Sequence, residues 1–203
     1  MEQTSQTQKE RDMVLVDRFK GGDLAAFEEL MGLYENQIYG FLVKMCGCSE
    51  GAKDVVQNTF LNAYRYLGKF RGDAAFKTWI YKVASTSCLK EKRKESSKAF
   101  HISLDDFLPK EKPGPEHKKP SWLRTPIEEL LNTELSSHLK QSLVKLPKKY
   151  RLVLVLRDLE GFTAEEASEA LDISVAAVKS RLHRARLFMR KELVGYYGDR
   201  STQ

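Results

Sequence analysis

Residues 174–191 read SVAAVKSRLHRARLFMRK. The stretch holds six Lys or Arg and no Asp or Glu, yet it keeps an apolar stripe. On a helix, at about 100° per residue, Val178, Leu182, Ala185 and Met189 share one face. The opposite face carries Ala176, Ser180, His183, Arg184 and Leu187. Lys179 and Arg186 flank it on one side, Ala177 and Arg181 on the other. The stripe suits a core and the basic remainder suits something outside. A helix that is merely solvated commonly mixes charge signs for i,i+4 pairs, so a stretch without acids points to a polyanion.

The preceding GFTAEEASEALDIS, residues 161–174, supplies the context. Thr163 and Glu166 have the spacing of a capping box, which starts a short helix there. Ala167 and Leu171 give that helix an inner face, with a small residue where two helices can cross closely. A turn at Asp172-Ile173-Ser174 follows, and Ser174 is placed to cap the next helix. Helix, tight turn and basic second helix make a helix-turn-helix, whose second helix enters the major groove. Ser180, His183 and Arg184 are then expected at base edges. Lys179, Arg181 and Arg186 are expected at phosphates, which position without specifying.

Composition agrees with a nucleic-acid partner. The chain has 203 residues, a formal net charge of +6 and a pI of about 9.1. No apolar run approaches a membrane span, and the opening MEQTSQTQKERD lacks the hydrophobic region of a secretion signal. A cytoplasmic chain with no membrane insertion is expected. Cys46, Cys48 and Cys88 are odd in number, and CxC has no matching second pair, so reduced thiols rather than a metal site are expected. The four histidines, at 101, 117, 138 and 183, show no metal spacing with the cysteines. No nucleophile-and-base constellation or phosphate-binding glycine loop is visible. No enzyme, cofactor or small-molecule substrate is expected.

Five of the six prolines fall in FLPKEKPGPEHKKPSWLRTP, residues 107–126. Proline blocks helix and sheet bonding, and the Lys/Glu content resists burial. An all-α chain of two small domains follows: an N-terminal domain over 10–97, a Pro/Lys-rich linker over 98–126 and a C-terminal helix-turn-helix domain over 127–195. Trp122 within the linker is a large aromatic suited to docking on a lobe. In the first domain, Phe27, Leu30, Met31 and Tyr34, then Ile38, Phe41 and Leu42, recur at helical spacing.

The segment from Asp54 holds two signals. Val56, Phe60, Ala63 and Leu67 recur as a core stripe, while Asp54, Gln57, Asn58, Leu61 and Arg65 share the far face. Next come interleaved aromatic and basic residues: Phe70, Arg71, Phe76, Lys77, Trp79, Tyr81, Lys82, Lys90, Lys92, Arg93 and Lys94. Unpaired bases need flat faces to stack on and cations along the backbone. Phe76, Trp79, Ile80 and Val83 also have core spacing, whereas Phe70 and Arg71 fall in a loop, GKFRGD, where a core role is less compulsory.

DVVQNTFLNAYRYLGKFRGDAAFKTWIYKVA, residues 54–84, followed by LPKKYRLVLVLRDLEGFTAEEASEALDISVAAVKSRLHRAR, residues 146–186, closely resembles the extracytoplasmic-function sigma factors of bacterial RNA polymerase. The first block resembles sigma region 2 and the second region 4. The resemblance implies a transcription initiation factor that binds core RNA polymerase, directs it to promoter DNA and assists melting. It implies that Asp54, Gln57, Asn58 and Leu61 bind core polymerase. It assigns Phe70, Arg71, Lys77, Trp79, Thr86, Lys90 and Arg93 to the minus-ten element as melted strand. It assigns Lys179, Ser180, His183 and Arg184 to base-proximal positions at the minus-thirty-five element, with Arg181 and Arg186 beside them. It also implies an anti-sigma factor as a partner. Three positions depart from the usual pattern: Asn58 where Glu is frequent, Thr86 where Asn is frequent, and Ala176-Ala177 where Gly-Thr opens the recognition helix. Competing readings are a free-standing helix-turn-helix regulator, which leaves the first domain idle, and an interaction protein that has lost DNA binding.

Overall fold

The computed structural model describes residues 2–47, 49–95 and 132–200, and among them every regular element is helical. The helices are α1 (Glu2–Lys20), α2 (Leu24–Cys46), α3 (Ser49–Leu67), α4 (Phe76–Glu95), α5 (Asn132–Lys145), α6 (Lys148–Leu154), α7 (Ala164–Leu171) and α8 (Val175–Arg200). A π turn, Val155–Leu159, continues α6. Helices α1–α4 fall in one compact unit, and α5, α6 and α8 in another. The expected linker, with its prolines, Trp122, His101 and His117, lies outside the described residues, as do Cys48 and the side chain of Arg93.

In the first unit, α2 is the central helix, packed against α1, α3 and α4. Asp23 starts it by accepting from the Ala25 amide at 3.1 Å. Gly47 ends it at φ 83, where its amide donates to the Val43 carbonyl at 2.8 Å. A side chain carrying Cβ is penalised in that left-handed conformation, so glycine is the natural stop. Leu30, Tyr34, Ile38, Phe41, Leu42 and Met45 are fully buried along α2. Each large apolar side chain so buried contributes roughly 1.5–3 kcal/mol. Tyr34 meets Phe76 edge-on at 5.2 Å and Phe41 meets Tyr81 at 5.0 Å, which joins α2 to α4.

Helix α1 begins at Glu2, and Gln8 donates to the Tyr34 hydroxyl at 3.2 Å. One expectation is corrected. The buried row of α3 is Ala52, Val55, Thr59, Ala63 and Leu67, while Val56 and Phe60 lie at its margins. The row is rotated because Thr59 is admitted to the core. Its hydroxyl donates to the Val55 carbonyl at 2.6 Å, so no polar group is stranded. Ala52 and Ala63 let the helices approach closely.

In the second unit, every residue from Tyr150 to Leu156 is buried. Helix α6 therefore has no solvent face there, which explains the run of apolar residues around Arg151. Arg151 sits within that run and is also buried, with its guanidinium donating to the Leu146 carbonyl at 2.9 Å and to the Val144 carbonyl. Those carbonyls close α5, whose last turn has no helical donors of its own. The C-terminal part of α8 is tied to α5 through Glu192. Its carboxylate accepts from Lys145 Nζ at 2.7 Å and Ser142 Oγ at 3.3 Å. The Lys145 bond holds that carboxyl below its ordinary range, and partial burial opposes it weakly.

Candidate nucleic-acid interface

The helix-turn-helix closes as its sequence specifies. The Thr163 hydroxyl accepts from the Glu166 amide at 3.1 Å, and the Glu166 carboxylate accepts from the Thr163 amide at 2.7 Å. This reciprocal box satisfies two amides at the start of α7. At the other end Asp172 adopts φ 54. The Ile173 amide reaches back to the Ser168 carbonyl at 3.1 Å and the Asp172 amide to Glu169 at 3.4 Å. These are the two bonds of a Schellman stop, here built on Asp rather than Gly. Ser174 then accepts from the Ala177 amide at 3.2 Å and starts α8.

On α8, Val178, Leu182, Ala185 and Met189 are all buried, the stripe expected from the sequence. Lys179 is exposed, and Ser180, Arg181, His183 and Arg184 are half-buried along the remaining surface. The Nε2 edge of His183 is buried without a hydrogen-bond partner, so that edge of the ring faces protein. Arg184 donates to the Tyr150 hydroxyl at 3.5 Å. The Arg186 guanidinium, expected at a phosphate, forks onto Asp158 at 2.9 and 2.7 Å. The reason is azimuthal: Arg186 lies only about 70° from the centre of the buried stripe, close to the α6 side of the helix. Asp158 carries no signal in the sequence, since a lone acid in a polar turn usually faces solvent.

In the first unit, Asp54, Gln57, Asn58 and Leu61 are all exposed on one face of α3, and Leu61 is 48% exposed. That face lies opposite the corrected core row. On α4, Thr86 and Lys90 are exposed one turn apart, and Lys77 and Trp79 are half-buried. Arg71 is exposed, but Phe70 is not free of the core. It is buried against Trp79 at 5.4 Å and Phe76 at 6.0 Å, so the expected stacking face is covered by other rings. The loop is held from below: Lys20 Nζ donates to the Phe70 carbonyl at 2.7 Å. Gly72 follows at φ 81, and a Cβ there meets the Met13 side chain at 3.1 Å. Among the described residues, no group of three His, Cys, Asp or Glu is arranged to hold a metal ion. Among them, too, no helix is long and apolar enough to cross a membrane.

The chain resembles known proteins along nearly all its length. Residues 30–98 match the family model for sigma-70 region 2, and residues 138–189 match that for sigma-70 region 4. The RNA polymerase sigma-H factor of Pseudomonas aeruginosa is 32% identical over 190 residues, 91% of this chain and 95% of that protein. The sigma-E factor of Escherichia coli K12 is 34% identical over 86% of this chain and 90% of its own length. SigW of Bacillus subtilis is 31% identical over 88% and 94%. Among solved structures, CnrH in complex with the cytosolic domain of CnrY has a similar fold. It gives a TM-score of 0.63 at 22% identity over 91% of this chain and 98% of that one. The sigma factor RpoE of Bartonella quintana, in complex with the anti-sigma factor NepR, gives 0.60 at 20% identity over 82% and 96%. A region 2 and a region 4 in this order, with relatives matched over nearly their full length, mean that the chain belongs to the extracytoplasmic-function sigma factors of the sigma-70 family.

Proposed function

We propose that the chain directs core RNA polymerase to specific promoters and assists their opening, with its work divided between the two units. The exposed row Asp54, Gln57, Asn58 and Leu61 on α3 docks on core polymerase. Arg71, Lys77, Trp79, Thr86 and Lys90 face the minus-ten element as single strand, Phe70 supports that surface from beneath, and Arg93, whose side chain lies outside the described residues, is assigned to the same element. Lys179, Ser180, Arg181, His183 and Arg184 face the minus-thirty-five duplex. The chain acts in the cytoplasm and carries out no catalysis of its own; the polymerase supplies the chemistry. An anti-sigma protein holds it inactive, by analogy with the sigma factor RpoE, solved in complex with the anti-sigma factor NepR.

One observation carries the reading. The acid-free start of α8 is capped, fixed by its turn and buried along a single stripe, so its basic surface is presented as a rigid unit. A free-standing regulator has no use for the exposed α3 face or for the α4 surface. The test is transcription in vitro with purified bacterial core polymerase on a pool of genomic fragments, with the transcript 5′ ends sequenced. Starts that require the chain and share two spaced motifs are expected. Duplex binding by the chain without dependent starts would overturn the proposal.

A further inference from the structure

Arg186 and Asp158 form a largely buried ion pair, with side-chain exposures of 28% and 9%. Both carboxylate oxygens are engaged, at 2.7 and 2.9 Å, which matches the planar fork of a guanidinium. Arg186 belongs to the basic helix, whereas Asp158 belongs to the π turn that ends α6. In that turn the Glu160 amide reaches back five residues to the Val155 carbonyl at 2.9 Å, instead of four. The wider turn shifts the residues after it around the α6 axis, and Asp158 comes to face α8. Arg157, its neighbour, donates to the Phe162 carbonyl and closes the same turn.

We propose that Asp158 is a positioning residue for promoter reading: it withholds Arg186 from the DNA backbone and fixes the rotation of α8 about its own axis. The inference rests on the initiation reading above and deepens it. Apart from its N-terminal cap and the Glu192 contacts near its C-terminal end, α8 is held by one apolar stripe, and van der Waals attraction is weakly directional. A bidentate ion pair at the edge of the stripe is directional and resists rolling. Which side chains reach base edges depends on that angle, so the pair acts on specificity. A phosphate competes poorly for Arg186, because releasing it leaves the largely buried Asp158 carboxylate without its bidentate cation. Lys179 and Arg181 remain for phosphates.

The test uses core polymerase loaded with the full chain. Affinity is measured for a promoter duplex recovered by the transcription assay and for a scrambled duplex of equal composition, across a salt series. Removing one cation from a phosphate lowers the slope of log affinity against log salt by about 0.9. Arg186→Gln is expected to leave that slope unchanged and to cut the promoter-over-scrambled preference by about tenfold. Arg186→Lys keeps the charge but not the fork, and it is expected to lose preference similarly. Asp158→Asn frees the guanidinium and is expected to steepen the slope by about 0.9 while lowering preference. Helical circular dichroism identifies folded variants, and Arg186→Lys stands in should the Gln variant not fold. A slope reduced by about 0.9 in Arg186→Gln, with Arg186→Lys behaving as wild type, overturns the inference and makes Arg186 a phosphate ligand. Preference unchanged in all three variants overturns it as well. No preference in the wild type overturns the initiation reading itself and this inference with it, and the wild-type arm alone reveals that.

Discussion

Tyr34 of α2 donates its hydroxyl proton to the Asp12 carboxylate of α1, and both side chains are buried. Burial pushes Asp12 above its ordinary 3.8, while the Tyr34 bond and nearby Arg11 pull it down without cancelling the effect. Burial, the bond to Asp12 and its charge raise the Tyr34 phenol far above its ordinary 10.0, so it remains a donor at neutral pH. A raised carboxyl binds its proton more tightly in the folded chain than in the unfolded one. Its contribution is therefore fully present below 3.8 and is lost as pH rises through the raised folded value. This sign is opposite to that of Glu192, whose lowered carboxyl stabilises above its ordinary 4.5 and fails as pH falls through the lowered value. Asp12→Asn removes the first titration. Urea midpoints of wild type and variant, taken from neutral pH toward about pH 4, should show the wild type gaining relative to the variant as pH falls. A difference that does not move with pH would show that Asp12 does not titrate differently on folding.

Leu61 is apolar, 48% exposed and set among Asp54, Gln57 and Asn58. Its truncation removes little from the fold: Leu61→Ala is expected within about 0.5 kcal/mol of wild-type stability. At the centre of a docking face the same truncation costs about 1–3 kcal/mol of affinity. Titration of core polymerase with labelled chain should show that split. Unchanged affinity would move the docking face off α3.

Gly72 occupies a left-handed conformation, φ 81, beside the Met13 side chain. Gly72→Ala adds a Cβ that is strained at that angle, which favours a shift of the loop bearing Arg71, while the Met13 side chain gives by a few tenths of an ångström. About 1 kcal/mol of stability should be lost. Permanganate footprinting of the polymerase complex should show weakened opening at the minus-ten element, while duplex binding through α8 persists. Wild-type opening would place the loop outside the melting step.

How much of the fold and the site is legible in the sequence depends on whether a signal is local. The α8 stripe is readable because its four apolar residues recur with no polar intruder. The caps at Thr163 and Ser174 are readable because a cap is satisfied within three residues. The α3 stripe is misplaced by periodicity alone because Thr59 reads as a surface residue, and its burial is permitted only by a bond to the backbone one turn earlier. Phe70 reads as a loop residue, which is correct for its backbone, yet its ring is buried by Trp79 and Phe76 further along the chain. Asp158 is invisible for a stronger reason. Its partner is 28 residues away, and its direction is set by a π turn that no simple periodicity announces.

The two ends of α7 make opposing predictions that can be combined. Thr163→Ala removes one half of the capping box and leaves the Glu166 amide without its side-chain acceptor. Caps of this kind are worth about 1 kcal/mol. Asp172→Gly relieves a side chain held at φ 54, partly offset by the greater freedom of glycine in the unfolded chain. A net gain of about 0.5 kcal/mol is expected. The substitutions lie at opposite ends of the helix and share no hydrogen bond, so their effects should add. Urea midpoints should therefore rank Asp172→Gly above wild type, the double variant slightly below wild type, and Thr163→Ala lowest, with unchanged m-values. A double variant no better than Thr163→Ala would mean that Asp172 is not strained and that its side chain contributes something glycine cannot replace.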